Sequence, residues 1–128
     1  MIISVYAAML ALFYVFLCLR VISFRREFKV SLGTGEHPLL LRATRVQANF
    51  AEYVPLALIL IVMVEGQGVD PSWVHGLSLL LVFGRLSHAY GVSQVSEKFI
   101  FRVAGMAMTF TSIILSALIL LLHTPDLG

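Results

Sequence analysis

The side chains with the most chemistry in this sequence lie in one short stretch, RATRVQANFAEYVP, at residues 42–55. Four of its polar side chains are spaced three or four residues apart, so they share one face of a helix: Arg42, Arg45, Asn49 and Glu52. Guanidinium groups bind carboxylates through paired hydrogen bonds, and a carboxylate can accept a hydrogen bond from an amine. This polar stripe therefore indicates a site for a small polar ligand that bears a carboxylate.

The polar stripe begins a long apolar segment, and this makes its charges costly. Nine uncharged residues, 56–64, follow closely after it. Glu52 lies about 15 Å along a helix from Arg42, and a charged group at that depth in a bilayer needs a partner or water. Two interpretations stay open. The stripe is a ligand site, or Glu52 forms a structural ion pair between helices with Arg45 or Arg85.

The composition predicts a membrane protein. The 128 residues are 59% hydrophobic and 12% charged, whereas soluble proteins are roughly 45–50% apolar and about 25% charged. The net charge of +2 gives no indication of nucleic-acid binding. The one cysteine, Cys18, cannot form an intrachain disulfide, and no Cys/His spacing typical of a metal site is present.

Four long apolar segments predict an all-α integral membrane protein, a bundle of four transmembrane helices. A single domain covers residues 1–128, and no segment alternates with the two-residue period of a membrane barrel. The helices are predicted at about residues 1–24, 39–64, 72–91 and 99–123.

The charged residues predict the orientation of the bundle. Every Lys and Arg lies at or near the first and third connections, whereas Glu65, Asp70 and Asp126 lie on the other side. The positive-inside rule then places the first and third connections in the cytoplasm and both termini outside.

Other segments bring polar side chains to the level of the polar stripe. The further candidates for the ligand site are Arg85, His88 and Tyr90 near the end of the third helix, Arg102 about one turn into the fourth, and Arg25 and Arg26 just beyond the first. For Arg25 and Arg26 the alternative is a role in topology and lipid contact. For His88 and Tyr90 the alternative is an anchor at the membrane interface.

RATRVQANFAEYVP resembles the second-helix signature of the MAPEG family, the membrane-associated proteins of eicosanoid and glutathione metabolism. The segment VISFRREFKVS at 21–31 is similar to the basic first loop of the family. FGRLSHAYG at 83–91 and FRVAGM at 101–106 resemble the region from the third to the fourth helix in its small bacterial members. The signature positions are filled by Arg45, Gln47, Asn49, Glu52, Tyr53 and Pro55.

The resemblance implies a homotrimer of four-helix protomers that binds glutathione between neighbouring subunits, in the cytoplasmic half of the membrane. Arg102 matches the arginine that stabilises the glutathione thiolate, and Arg25 or Arg26 matches a basic residue that contacts the ligand or assists proton transfer. Arg85 and His88 match positions that line the site. The implied glutathione contacts are Arg45, Asn49, Glu52 and Tyr53, with Gln47 as a further candidate.

The sequence departs from the family pattern near the end of the third helix. Eukaryotic relatives carry a tyrosine four residues beyond the position of His88, where this chain has Val92. Tyr90 is the candidate to replace that tyrosine. The departure concerns the geometry of catalysis more than the binding of the ligand.

The function implied by the resemblance is a membrane glutathione transferase or peroxidase in a bacterial inner membrane. Glutathione is the cosubstrate, and its thiolate attacks a lipophilic electrophile or a hydroperoxide. The expected partners are membrane lipids and a lipophilic small molecule, with no metal and no nucleic acid. One alternative is a trimeric membrane protein that binds glutathione or another anionic thiol without turnover. A small multidrug transporter is disfavoured, because such proteins need a carboxylate in the first helix and residues 1–19 have none.

Overall fold

The computed structural model describes residues 1–123, which form four long helices joined by short connections. These residues contain no strand, so the prediction of an all-α fold is confirmed. Asp126, which was assigned to the outer side, lies outside the described residues. The helices are α1 (Ile3–Phe28), α2 (Pro38–Gly66), α3 (Pro71–Ser93) and α4 (Phe99–His123).

The first helix runs one turn beyond the predicted end near residue 24. No glycine or proline interrupts residues 24–28, and two cations, Arg25 and Arg26, occupy the last turn of α1. Positive charge is favourable there, because the C-terminal end of a helix carries a partial negative charge. The helix ends at Lys29, whose backbone is left-handed and whose N–H donates to the carbonyl of Arg25. The basic pair therefore belongs to the helix and not to the connection.

Prolines set the starts of the second and third helices. Pro38 and Pro71 stand at the first positions of α2 and α3, where a missing N–H costs nothing. Asp70 precedes α3 and accepts hydrogen bonds from the N–H of Ser72 at 2.9 Å and from its hydroxyl at 2.7 Å. These donors hold the pKa of the Asp70 carboxyl below its usual value. The end of the bundle opposite the basic connections is thus fixed by local capping.

Three of the four helices, α1, α2 and α4, are long and apolar enough to cross a membrane. With 23 residues, α3 reaches about 34 Å, which is long enough, but it has no 18-residue stretch as apolar as those in the other three helices. Its polar side chains Ser78, Arg85 and His88 are buried within the protein. The chain is an integral membrane bundle in which α3 directs polar groups toward the other helices.

The closest helix pair in the bundle is α3 with α4, and glycines make this approach possible. A Cβ atom at Gly105 would lie 2.5 Å from the backbone nitrogen of His88 and 2.6 Å from the carbonyl oxygen of Gly84. A Cβ atom at Gly91 would lie 2.5 Å from the backbone nitrogen of Arg102. Contacts between backbones therefore place His88 and Arg102 beside each other.

The first helix is tied to the rest of the bundle at both ends. The N–H of Ile3 donates to Glu65 at 3.1 Å. At the other end, Arg20 donates to the hydroxyl of Ser93 at 3.0 Å. Between these ends α1 contributes apolar side chains such as Leu17 to the core. The basic ends of all four helices consequently gather on one side of the bundle.

The glycine contacts generate a prediction about stability. We expect Gly105→Ala to lower the free energy of unfolding by about 1–3 kcal/mol, because a methyl group would force the backbones of α3 and α4 apart. Gly76→Ala is the matched control, since nothing lies within 4 Å of its Cβ position and alanine favours a helix by up to ~1 kcal/mol. Thermal unfolding in one detergent checks both variants, and equal Tm values for them would contradict the prediction.

Candidate functional site

A pocket of about 230 Å³ opens at the basic end of the bundle, between α2, α3 and α4. Three of its lining residues are arginines and only one is a carboxylate. The polar stripe of α2 supplies one wall, α3 supplies the floor, and the connection between α3 and α4 supplies the rim. The lining residues are Leu41, Arg42, Arg45, Asn49, His88, Val92, Glu97 and Arg102.

Arg85 lies beneath the floor of this pocket and holds it in place. Its side chain is 1% exposed. The guanidinium donates to Oδ1 of Asn49 and, at 3.2 Å, to the hydroxyl of Thr109. One of its nitrogens also lies 3.4 Å from Nδ1 of His88. Arg85 therefore positions the two polar side chains that face the inner part of the pocket.

The partners of Arg85 are all neutral. Among residues 1–123 it forms no ion pair, and its Nε has no hydrogen-bond acceptor. Burial of a cation without an opposite charge is costly, because the interior cannot replace the hydration that the charge loses. The floor of the pocket consequently carries positive charge that forms no ion pair with a carboxylate among residues 1–123.

A single carboxylate, Glu97, bridges two arginines at the rim. Its Oε1 lies 2.8 Å from Nη1 of Arg102 and 3.5 Å from Nη1 of Arg42. Arg42 also donates to the carbonyl of Val92 at 3.0 Å. The rim thus joins the first turns of α2 and α4 to the connection between α3 and α4.

Arg45 and Glu52 form the other ion pair of the polar stripe, with 3.8 Å between Nη2 and Oε1. Of the two partners considered for Glu52, the structure brings it to Arg45 and not to Arg85. Their side chains are 57% and 53% exposed, so this pair lies on the surface of the protomer. Arg45 still reaches the pocket, whereas Glu52 lies outside its lining.

Two other residues of the second-helix signature face away from the pocket. The amide of Gln47 donates to the hydroxyl of Tyr14 at 3.0 Å and so binds α2 to α1. Tyr53 packs edge-to-face against Phe110, with 5.4 Å between ring centroids. Within one protomer, these side chains serve the contacts between helices.

The basic pair at the end of α1 lies apart from the pocket. Arg25 donates to the carbonyl of Gly33 at 2.7 Å and so fixes the first connection. Arg26 is exposed to solvent. Both arginines line a separate shallow cleft with Lys29. Neither joins Arg102 in the protomer.

Tyr90, the candidate to replace the missing tyrosine, does not line the pocket within this chain. Its ring packs edge-to-face against Phe101, with 5.0 Å between centroids, and it lines a groove between α1 and α3. Two residues correspond to about 200° of rotation around a helix, so Tyr90 and Val92 point in different directions. Val92, which is buried, lines the pocket instead.

Glu97 was given no functional role from the sequence, and Arg42 was given one only as a member of the polar stripe. Arg42 belongs to the polar stripe but has no place in the family signature, and Glu97 lies in the third connection. A signal for Glu97 did exist, since it is the only acidic residue between His88 and Arg102. Its partners could not be inferred, because they depend on how the connection folds back over the pocket.

The helical membrane architecture agrees with comparisons to known proteins. The sequence model of the family described as "MAPEG family" matches residues 3–122 of this chain. The chain is 31% identical to "Inner membrane protein YecN" of Escherichia coli strain K12 over 125 aligned residues. The aligned region covers 98% of this chain and 94% of the relative. The protein of the same name from Escherichia coli O6:H1 strain CFT073 has the same identity and coverage. The chain belongs to the MAPEG family.

Proposed function

We propose that this protein is a membrane glutathione transferase or peroxidase that binds glutathione in the basic pocket. The observation that carries the proposal is the excess of cations there: Arg42, Arg45 and Arg102 converge around a single carboxylate, Glu97. Glutathione has two carboxylates and one thiol, and arginine binds carboxylates through paired, charge-assisted hydrogen bonds. A pocket with more cations than carboxylates suits such a ligand.

The same charges would activate the thiol. A thiol is a nucleophile mainly as its thiolate, and nearby cations favour that form. Arg102 at the rim is the residue that we assign to the thiolate. Arg85 beneath the floor adds positive potential that water cannot screen well, because it is buried.

Two reactions follow from an activated thiolate. In transfer, the sulfur attacks an electrophilic carbon, a carbon–sulfur bond forms as the leaving group departs with its electron pair, and the thiol proton goes to solvent. In peroxide reduction, the sulfur attacks a peroxide oxygen and the O–O bond breaks, which gives an alcohol and a sulfenic acid. A second glutathione then reduces the sulfenic acid to a disulfide and water. A lipophilic substrate would reach the thiolate from the bilayer.

We assign the functional form to a homotrimer in a bacterial inner membrane. The half-exposed Arg45–Glu52 pair supports this assembly, because charged side chains on the surface of a membrane-spanning helix need polar surroundings. A neighbouring subunit would supply them and would close the pocket from the side. The basic ends of the helices would face the cytoplasm, where the positive-inside rule places them.

The assembly predicts a mass. We expect the purified protein in detergent to have the mass of three 14.2 kDa chains after the detergent contribution is subtracted. Light scattering coupled to size exclusion measures this directly. A monomer at every detergent concentration that preserves helicity would contradict the trimer.

The thiol chemistry predicts a spectroscopic signal. Titration of the wild-type protein with glutathione at neutral pH should give saturable thiolate absorbance in the ultraviolet. Arg102→Ala should abolish that absorbance, because the cation assigned to the thiolate is gone. Lys29→Asn is the control: it removes a cation at the same end, outside the pocket, and asparagine tolerates the left-handed backbone of that position.

The outcomes separate enzyme from binding protein. Saturable absorbance in the wild type and in Lys29→Asn, with none in Arg102→Ala, supports an activated nucleophile. Saturable binding measured by calorimetry without a thiolate signal would instead favour a trimeric protein that holds glutathione without turnover. No binding by either method would reject the glutathione proposal.

The burial of the Arg85 guanidinium predicts that its replacement weakens ligand binding without lowering the stability of the fold. We expect Arg85→Met to leave Tm unchanged or to raise it, because replacement of a buried charge by a well-packed apolar side chain is often neutral or stabilising. Glutathione binding should weaken by at least about tenfold, since Asn49 loses the charged donor that positions it. Thermal unfolding and calorimetry of the same preparation test this. A lower Tm with unchanged affinity would show that Arg85 serves the fold alone.

A further inference from the structure

We infer that Arg42 and Arg102 form a subsite for an anionic group of the ligand, and that Glu97 occupies this subsite as an internal competitor. An anionic ligand must displace the Glu97 side chain to reach these arginines. The inference rests on the proposed function only in that the ligand is an anion bound in the basic pocket.

The geometry of Glu97 is that of a bound carboxylate. One oxygen, Oε1, lies within ion-pair distance of two guanidinium groups that come from different helices, α2 and α4. The carboxylate of a ligand would use the same N–H donors. In this arrangement one carboxylate pairs with two guanidinium groups, so the Glu97 side chain fills the subsite by itself.

The arginines do not need Glu97 to hold them near the pocket. Arg42 is anchored independently, because its Nη1 donates to the carbonyl of Val92 at 3.0 Å. The backbone of Arg102 is positioned by the close approach of α4 to Gly91. Removal of the Glu97 charge therefore leaves one guanidinium anchored by another bond, that of Arg42, and one whose backbone is held beside the pocket, that of Arg102. This favours competition over a purely structural role for this carboxylate.

The position of Glu97 in the chain permits it to move. It lies in the short connection between α3 and α4, outside both helices. Displacement of its side chain therefore breaks no helical hydrogen bond. The cost to a ligand is the loss of two partly solvated ion pairs, and exposed pairs of this kind are each worth up to ~1 kcal/mol, or about fivefold in affinity.

The test compares anion binding by the full-length protein in detergent before and after removal of this charge. The probes are glutarate, a simple dicarboxylate, and glutathione, both titrated calorimetrically. We expect Glu97→Gln to tighten glutarate binding about fivefold, with the gain reduced at high salt. Glu97→Ala should do the same, which guards against misfolding of one variant.

Two controls isolate the competition. Glu27→Gln makes the same change in net charge at the exposed end of α1, outside the pocket, and should leave both affinities unchanged. The double variant Arg42→Gln/Glu97→Gln should lose the gain in glutarate affinity, because the Arg42 guanidinium that Glu97 would release is no longer present. Circular dichroism and Tm confirm that each variant is folded.

The results distinguish this inference from the proposed function. Tighter glutarate binding in both Glu97 variants supports the internal competitor, even if glutathione binds to none of the proteins and the proposed function fails. Glutathione binding that is saturable but no tighter in these variants, with glutarate equally unaffected, keeps the function and overturns the competitor. Weaker binding, or no detectable glutarate binding to Glu97→Gln, overturns it as well and makes Glu97 a residue that positions the arginines.

Discussion

The buried guanidinium of Arg85 is the interaction on which the rest of the site depends. It lies on α3, and its donors reach Asn49 on α2 and Thr109 on α4. One side chain thus joins the three helices that enclose the pocket. It does so without a carboxylate partner among the described residues, so its charge is available to the pocket above it. A cation in that position is costly for folding and useful for anion binding.

Close packing of α3 against α4 makes this arrangement possible. The glycines at 84, 91 and 105 remove the side chains that would separate the two backbones. The polar residues of α3 can then be enclosed by protein rather than face lipid, and α3 is the one helix of the four without a stretch apolar enough for a candidate membrane span. His88 and Arg102 line the same pocket because the two backbones touch beside them.

The charges at the basic end divide into two groups. Arg42 and Arg102 share Glu97 at the rim, whereas Arg45 and Glu52 lie half-exposed on the surface of α2. The first group lies where an anionic ligand would enter the pocket. The second group lies where we propose contact with a neighbouring subunit. A single helical stripe therefore supplies both a wall of the pocket and a charged surface, because its residues span more of the circumference of α2 than the pocket covers.

The sequence by itself determined the four helices, the gathering of Lys and Arg at one end, and the polar stripe of α2. These features are local: hydrophobic runs set the helices, and spacings of three and four residues set the face. The family resemblance added Arg85, His88 and Arg102 as residues of one site. The structure places His88 and Arg102 in the lining of the pocket and Arg85 beneath its floor.

Only the tertiary structure decided which side chains meet across helices. It brought Glu52 to Arg45, turned Gln47 toward α1, left Tyr90 in a groove outside the pocket, and placed Glu97 between two arginines. Helical periodicity gives the relative angles of residues within one helix, but not the rotation of that helix against its neighbours. The partner of a charge is fixed by that rotation and by the path of the connections, and neither can be read from local spacing.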